Sequence, residues 1–113
     1  MGSTKINFFI IRTFDDLDFT RDDFSKLHTD PVMLETLERI TPYRSRMKFE
    51  REFGGDGTEA SVVFGKSTYS TWDSEGIHSF EVLYSDEDKP RGWQTRDEIN
   101  DEFLRRSFNK NRI

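Results

Sequence analysis

The chain has no cysteine. Disulfide cross-links, thiolate metal sites and cysteine nucleophiles are therefore excluded. The absence fits a reducing compartment, so a cytoplasmic protein is expected. Histidine is scarce too, with only His28 and His78, and their spacing does not suggest a ligand pair. No metal and no cofactor is expected. No stretch of about 18 apolar residues exists, so nothing is expected to span a membrane or partner one. The opening residues hold no basic segment leading into an apolar one, as a secretory signal would require. Valine and leucine are few, and 11 phenylalanines carry much of the apolar content. At 113 residues the chain suits a single domain over residues 1–113, large enough to bury a core without staples.

Charge is abundant in both signs, with 17 basic and 22 acidic residues giving a net of −5. It is unevenly spread. Residues 1–40 carry a net of −3, residues 41–53 +2, residues 54–90 −6 and residues 91–113 +2. A nucleic-acid binder usually shows a stronger basic surplus. A local patch can still act against the total.

Hydrophobic periodicity divides the chain into elements. Lys5–Phe14 reads as a strand, with Ile6, Phe8 and Ile10 on one face and Phe9 and Ile11 on the other. Apolar residues on both faces suggest a central strand, or an edge strand whose second face lies at an oligomer interface. Thr20 to His28 reads as a short helix, capped by Thr20 and stapled by Phe19 and Phe24. Asp30-Pro31 opens a second helix, with Met33, Leu34, Leu37 and Ile40 as its stripe and Thr41-Pro42 as its stop.

Tyr43–Phe53 alternates as a half-buried strand, with Arg44, Arg46 and Lys48 outward. Gly54-Gly55-Asp56-Gly57 supplies a tight turn. Thr58–Ser67 and Ile77–Tyr84 read as two further strands, the second with Phe80, Val82, Tyr84 and His78 on its inner face. Residues 85–92 read as a solvated loop. Thr95-Arg96-Asp97-Glu98 is a capping box for a last helix to about Asn109, with Ile99, Phe103, Leu104 and Phe108 inward. The expected fold is α+β: a four-stranded, mainly antiparallel sheet packed with helices, in the order β-α-α-β-β-β-α.

Two tempting motifs fail on context. Asp16, Asp18, Thr20 and Asp22 alternate as in a calcium loop, but the sixth position is Arg21 rather than glycine and the twelfth is Leu27 rather than glutamate. Ala60–Ser67 resembles a phosphate-binding loop, but its middle residues are strand formers and no helical pattern follows. No nucleophile–base pair is readable, and no catalytic residue is assigned.

Two surfaces remain. Tyr69, Trp72 and Trp93 fall in or beside connections, where aromatics anchor partners. Trp93 stands near the acidic loop Asp86, Glu87 and Asp88, which adds steering charge. The other surface is the row Arg44, Arg46 and Lys48, about 7 Å apart along one strand face. It suits phosphates, although Glu59 or Glu81 on neighbouring strands could neutralise it.

The leading expectation is a small non-enzymatic module that binds another protein. It would act as an inhibitor, immunity factor or adaptor, of the kind phages and plasmids encode. The second expectation comes from resemblance. The element order, with Arg44, Arg46 and Lys48 on a strand, is similar to that of RelE-type ribosome-dependent RNase toxins. The α-β-β-β-α order of residues 31–109 is similar to that of double-stranded-RNA-binding domains. These resemblances imply an RNA-acting protein that uses the basic row. They rest on element order; at the start of the last helix, where the RNA-binding domains carry basic residues, this chain has Thr95-Arg96-Asp97-Glu98. A nucleic-acid partner is thus the secondary expectation, and a second copy of the chain is also eligible.

Overall fold

A computed structural model describes residues 9–21 and 30–108, apart from the side chain of Glu38. The fold is α+β. Helix α1 spans Pro31–Ile40, and five strands follow: β1 Tyr43–Lys48, β2 Glu59–Phe64, β3 Thr71–Asp73, β4 Gly76–Tyr84 and β5 Arg91–Gln94. Helix α2 spans Arg96–Ser107. All strand pairs are antiparallel: β1 with β2, β2 with β4, and β4 with both β3 and β5.

Local chemistry sets the ends of both helices. Asp30 accepts a hydrogen bond from Val32 N at 3.0 Å, and Pro31 begins α1. Thr95 and Glu98 form a reciprocal capping box on α2, with Thr95 N donating to Glu98 Oε1 at 3.0 Å and Glu98 N to Thr95 Oγ1 at 3.2 Å. The alternation read along β1 is also present. Ser45, Met47 and Phe49 are buried, while Arg44, Arg46 and Lys48 are exposed.

The core forms between the inner sheet face and α2. Met47, Phe49, Ala60, Val62, Phe80, Val82 and Tyr84 meet Ile99 and Phe103 of the helix. Phe103 meets Phe49 edge-on at a centroid distance of 5.1 Å, a geometry aromatic pairs favour.

Several expectations change. The expected first strand fails over its described part. Residues 9–13 form no strand, and Phe14–Asp16 is a 3-10 turn. The cause is competition for backbone donors. Arg12 N donates to Ser107 Oγ at 2.9 Å and Phe14 N to Asn100 Oδ1 at 2.7 Å, so side chains of α2 take bonds a ladder would have used. Phe14 instead packs its ring on Phe80, 4.8 Å between centroids. Residues 5–8, and most of the short helix expected after Thr20, lie outside the described residues.

The sheet has five strands rather than four: three of the expected strands are present, and β3 and β5, too short to show a period, are added. The strand expected over Tyr43–Phe53 stops at Lys48, and Arg51–Phe53 is a 3-10 turn. Gly54 at φ +91° and Gly57 at φ +85° let this segment fold back so that Phe49 and Thr58 close it. Leu104 of α2 and Phe108, just past its end, are 52% and 39% exposed rather than inward; Glu102, Arg106 and Ser107 are buried in their stead. Helix α1 also leaves much of its stripe in solvent, with Met33 and Ile40 about half exposed.

Replacing Phe103 with alanine should lower unfolding free energy by about 3–5 kcal/mol, because the ring is wholly enclosed. Urea denaturation monitored by circular dichroism checks this; a loss near 1 kcal/mol would mean the interface is looser than described.

Candidate functional site

The acidic loop is not free charge. It leads from β4 to β5, and two of its three carboxylates are tied to arginines. Arg106, only 6% exposed, projects from the buried face of α2. Its Nε donates to Glu102 Oε2 at 2.8 Å, and one terminal nitrogen donates to Asp86 Oδ1 and Thr58 Oγ1, each at 3.0 Å. Arg91, at the start of β5, grips Glu87 through two nitrogens and reaches Glu102 Oε1 at 3.3 Å. Asp88 remains exposed.

Tyr84 lies beneath both guanidiniums, 4.0 Å from that of Arg106 and 4.8 Å from that of Arg91. The cations face the negative ring face, so the stack is attractive. Burial lowers the pKa of Arg106, but hydrogen bonds to Asp86 and Glu102 outweigh it, and the net direction is up. Hydrogen bonding to Glu87 raises that of Arg91. Burial, aided by the Glu102 charge, raises that of the Tyr84 phenol. The cluster is saturated with internal partners and acts as a staple.

An aromatic surface stands beside this staple. Tyr69 and Trp93 are 56% and 58% exposed, with ring centroids 5.1 Å apart. Trp93 N donates to Tyr69 O at 2.8 Å, and Tyr69 N donates to Glu81 Oε1 at 3.0 Å. Gly92 allows the approach, since a Cβ there would meet Tyr69 Cβ at 2.9 Å. Trp93 itself sits at φ +52°, a region bulky residues rarely adopt. Of the three aromatics singled out in the sequence, Tyr69 and Trp93 form a pair. Trp72, 46% exposed on β3, lines a different groove.

The basic row occupies the outer face of β1. Arg44 lies opposite Val63, Arg46 opposite Ser61 and Lys48 opposite Glu59. Glu81 is one strand further away, across from Val63. Among the described residues, none of the three cations forms an ion pair. Residues 18–20 run beside the strand, and Thr20 and Arg44 exchange backbone hydrogen bonds of 2.9 and 2.8 Å. The groove beside them, about 460 Å³, is lined by Asp18, Thr20, Thr41, Pro42, Arg44 and Arg46, with Ser45.

His78 was expected on the inner face. It is about half exposed, and its Nε2 lies 2.8 Å from Asp73 Oδ1 across the β3–β4 turn. The pleat breaks there, because the β3–β4 register shifts between Thr71 and Trp72. The hydrogen bond from His78 holds the Asp73 carboxyl below its ordinary range. Among the described residues no group of three or more histidines and carboxylates could hold a metal ion, and no helix is long and apolar enough to cross a membrane. His28 lies outside the described residues. No protein-family model, curated protein or solved structure matches the chain.

Sequence reasoning did not find the Arg106–Glu102 staple. Its signal was the i, i+4 spacing of Glu102 and Arg106, which reads as an exposed pair until the helix face is known.

Truncating Arg106 to alanine would leave Glu102 Oε2 without its donor in a nearly closed site, although Arg91 and Arg105 remain at Oε1, and would also release Asp86 and Thr58. The expected loss is about 3 kcal/mol or more, read from the urea midpoint, and a loss below about 1 kcal/mol would show the staple to be decorative. Tyr84 gives a pH signature. Its phenol stays neutral when folded but ionises from the ordinary value of 10.0 when unfolded. Its contribution is therefore intact below pH 10 and fades as pH rises further. The melting temperature of the native protein should fall more steeply above about pH 10 than that of Tyr84→Phe; parallel curves would remove Tyr84 from the account.

Proposed function

We propose that the chain is a non-enzymatic binding module that docks on another protein through the Tyr69–Trp93 surface. It would serve as an inhibitor, immunity factor or adaptor. One observation carries the reading: a tryptophan more than half exposed, held at φ +52° by a backbone bond to its aromatic neighbour. A large apolar ring kept in water in a strained backbone serves packing poorly and suits an anchor.

The arginine staple supports this role indirectly. It fixes the loop that carries Asp86, Glu87 and Asp88 and the start of β5, so Trp93 loses little freedom on binding. Asp88 supplies an outward charge, whereas Asp86 and Glu87 act from behind as rigid supports. A cytoplasmic setting belongs to the proposal and rests on the absence of cysteine.

The test is affinity capture from nuclease-treated lysate with the native chain, Trp93→Ala and the pair Arg44→Glu/Arg46→Glu as baits. A protein should be retained by the native chain and by the arginine variant, and its retention should drop about tenfold or more with Trp93→Ala. Equal retention by native chain and Trp93→Ala would sink the proposal. Size-exclusion chromatography of the pure chain reveals whether the partner is a second copy.

A further inference from the structure

A second groove, about 300 Å³ in volume, adjoins β1. Arg21, Arg39 and Lys66 line it as cations, and Tyr43, Phe64 and Trp72 as rings. No acidic side chain lines it among the described residues. Tyr43 stacks nearly parallel on Phe64, with centroids 5.0 Å apart and planes at 11°. The Arg21 guanidinium lies 4.9 Å from the Tyr43 ring centre. Tyr43 is 37% exposed and Trp72 46%. Thr41 belongs to the walls of both this groove and the larger one that holds Arg44 and Arg46.

We infer that the two grooves together form a track for single-stranded nucleic acid, in which Arg39, Lys66, Arg44 and Arg46 face phosphates while Trp72 stacks a base, with Tyr43 held between Phe64 and Arg21 as part of the wall. Cations beside the exposed Trp72 ring are what a single strand requires, because its bases are free to stack and its backbone is anionic. A duplex keeps its base faces covered and could use only the charges. On a chain with a net charge of −5, this local run of cations opposes the overall repulsion of polyanions. Asp18, in the larger groove, opposes the field locally and keeps the attraction moderate. The inference is separate from the Tyr69–Trp93 surface and shares no residue with it.

Fluorescence anisotropy with labelled RNA and DNA single strands of about 12 nucleotides tests it. Binding should weaken from about 50 to 200 mM salt with a log–log slope of roughly −2 to −4, as three to five phosphate contacts imply. The pair Arg39→Glu/Lys66→Glu should cut affinity about tenfold or more, Trp72→Ala about fivefold or more, and Trp93→Ala not at all. Melting temperatures establish that the variants are folded. The chain has two tryptophans, so in Trp93→Phe the emission reports Trp72 alone and should be quenched as the strand is added. Absence of binding at about 50 mM salt overturns the inference. So does equal affinity for a duplex, which would indicate charge alone. Displacement of the strand by polyglutamate with unchanged Trp72 emission would also overturn it, in favour of an acidic protein segment.

Discussion

A guanidinium that is 6% exposed must be surrounded by acceptors, and Arg106 gathers them from three separate parts of the chain. Glu102 comes from one turn earlier on α2, Asp86 from the β4–β5 connection, and Thr58 from the entry to β2. Asp56 N also donates to the Arg106 carbonyl at 3.0 Å, which ties the glycine-rich turn to the end of the helix. A buried ion pair of this kind adds little over a well-packed apolar group. Its effect is geometric, since only one placement of helix, loop and turn satisfies every donor.

The rest of the interior is aromatic. Phenylalanine rings meet edge to face over the inner sheet, and Tyr84 joins this apolar layer to the arginine staple. Its ring contacts Phe103 at a centroid distance of 6.5 Å, with both guanidiniums close to the same ring. The N-terminal segment enters through its rings rather than through a ladder. Phe14 and Phe19 both lie against Phe80, while α2 side chains satisfy the backbone at residues 12 and 14.

The surface follows from which charges find partners inside the fold. Net charge by segment makes residues 54–90 the most acidic part of the chain. Yet Asp86 and Glu87 are spent on Arg106 and Arg91, and Glu81 on the Tyr69 amide. On β1 the opposite holds, and the cations of the outer face stay without an ion pair among the described residues. The outer face of β1 thus presents positive charge on a negatively charged protein, and the aromatic pair Tyr69–Trp93 stands beside a loop with two of its three carboxylates paired.

Features that depend on a few neighbouring residues were already legible in the residue order: the Asp30 and Thr95 caps, the alternation of β1, and the inward Ala60 and Val62 of β2 and Phe80, Val82 and Tyr84 of β4. Each is decided within one or two turns of chain, where spacing and side-chain type are sufficient. Tertiary contact decided the rest. It placed Glu102, Arg106 and Ser107 on the buried face of α2 in preference to Leu104 and Phe108. It withheld strand pairing from residues 9–13, and it brought Tyr69 to Trp93 while assigning Trp72 to the basic groove. The physical reason is that a polar group's burial, and an amide's choice between ladder and side chain, depend on acceptors far away in the chain, which no local period encodes.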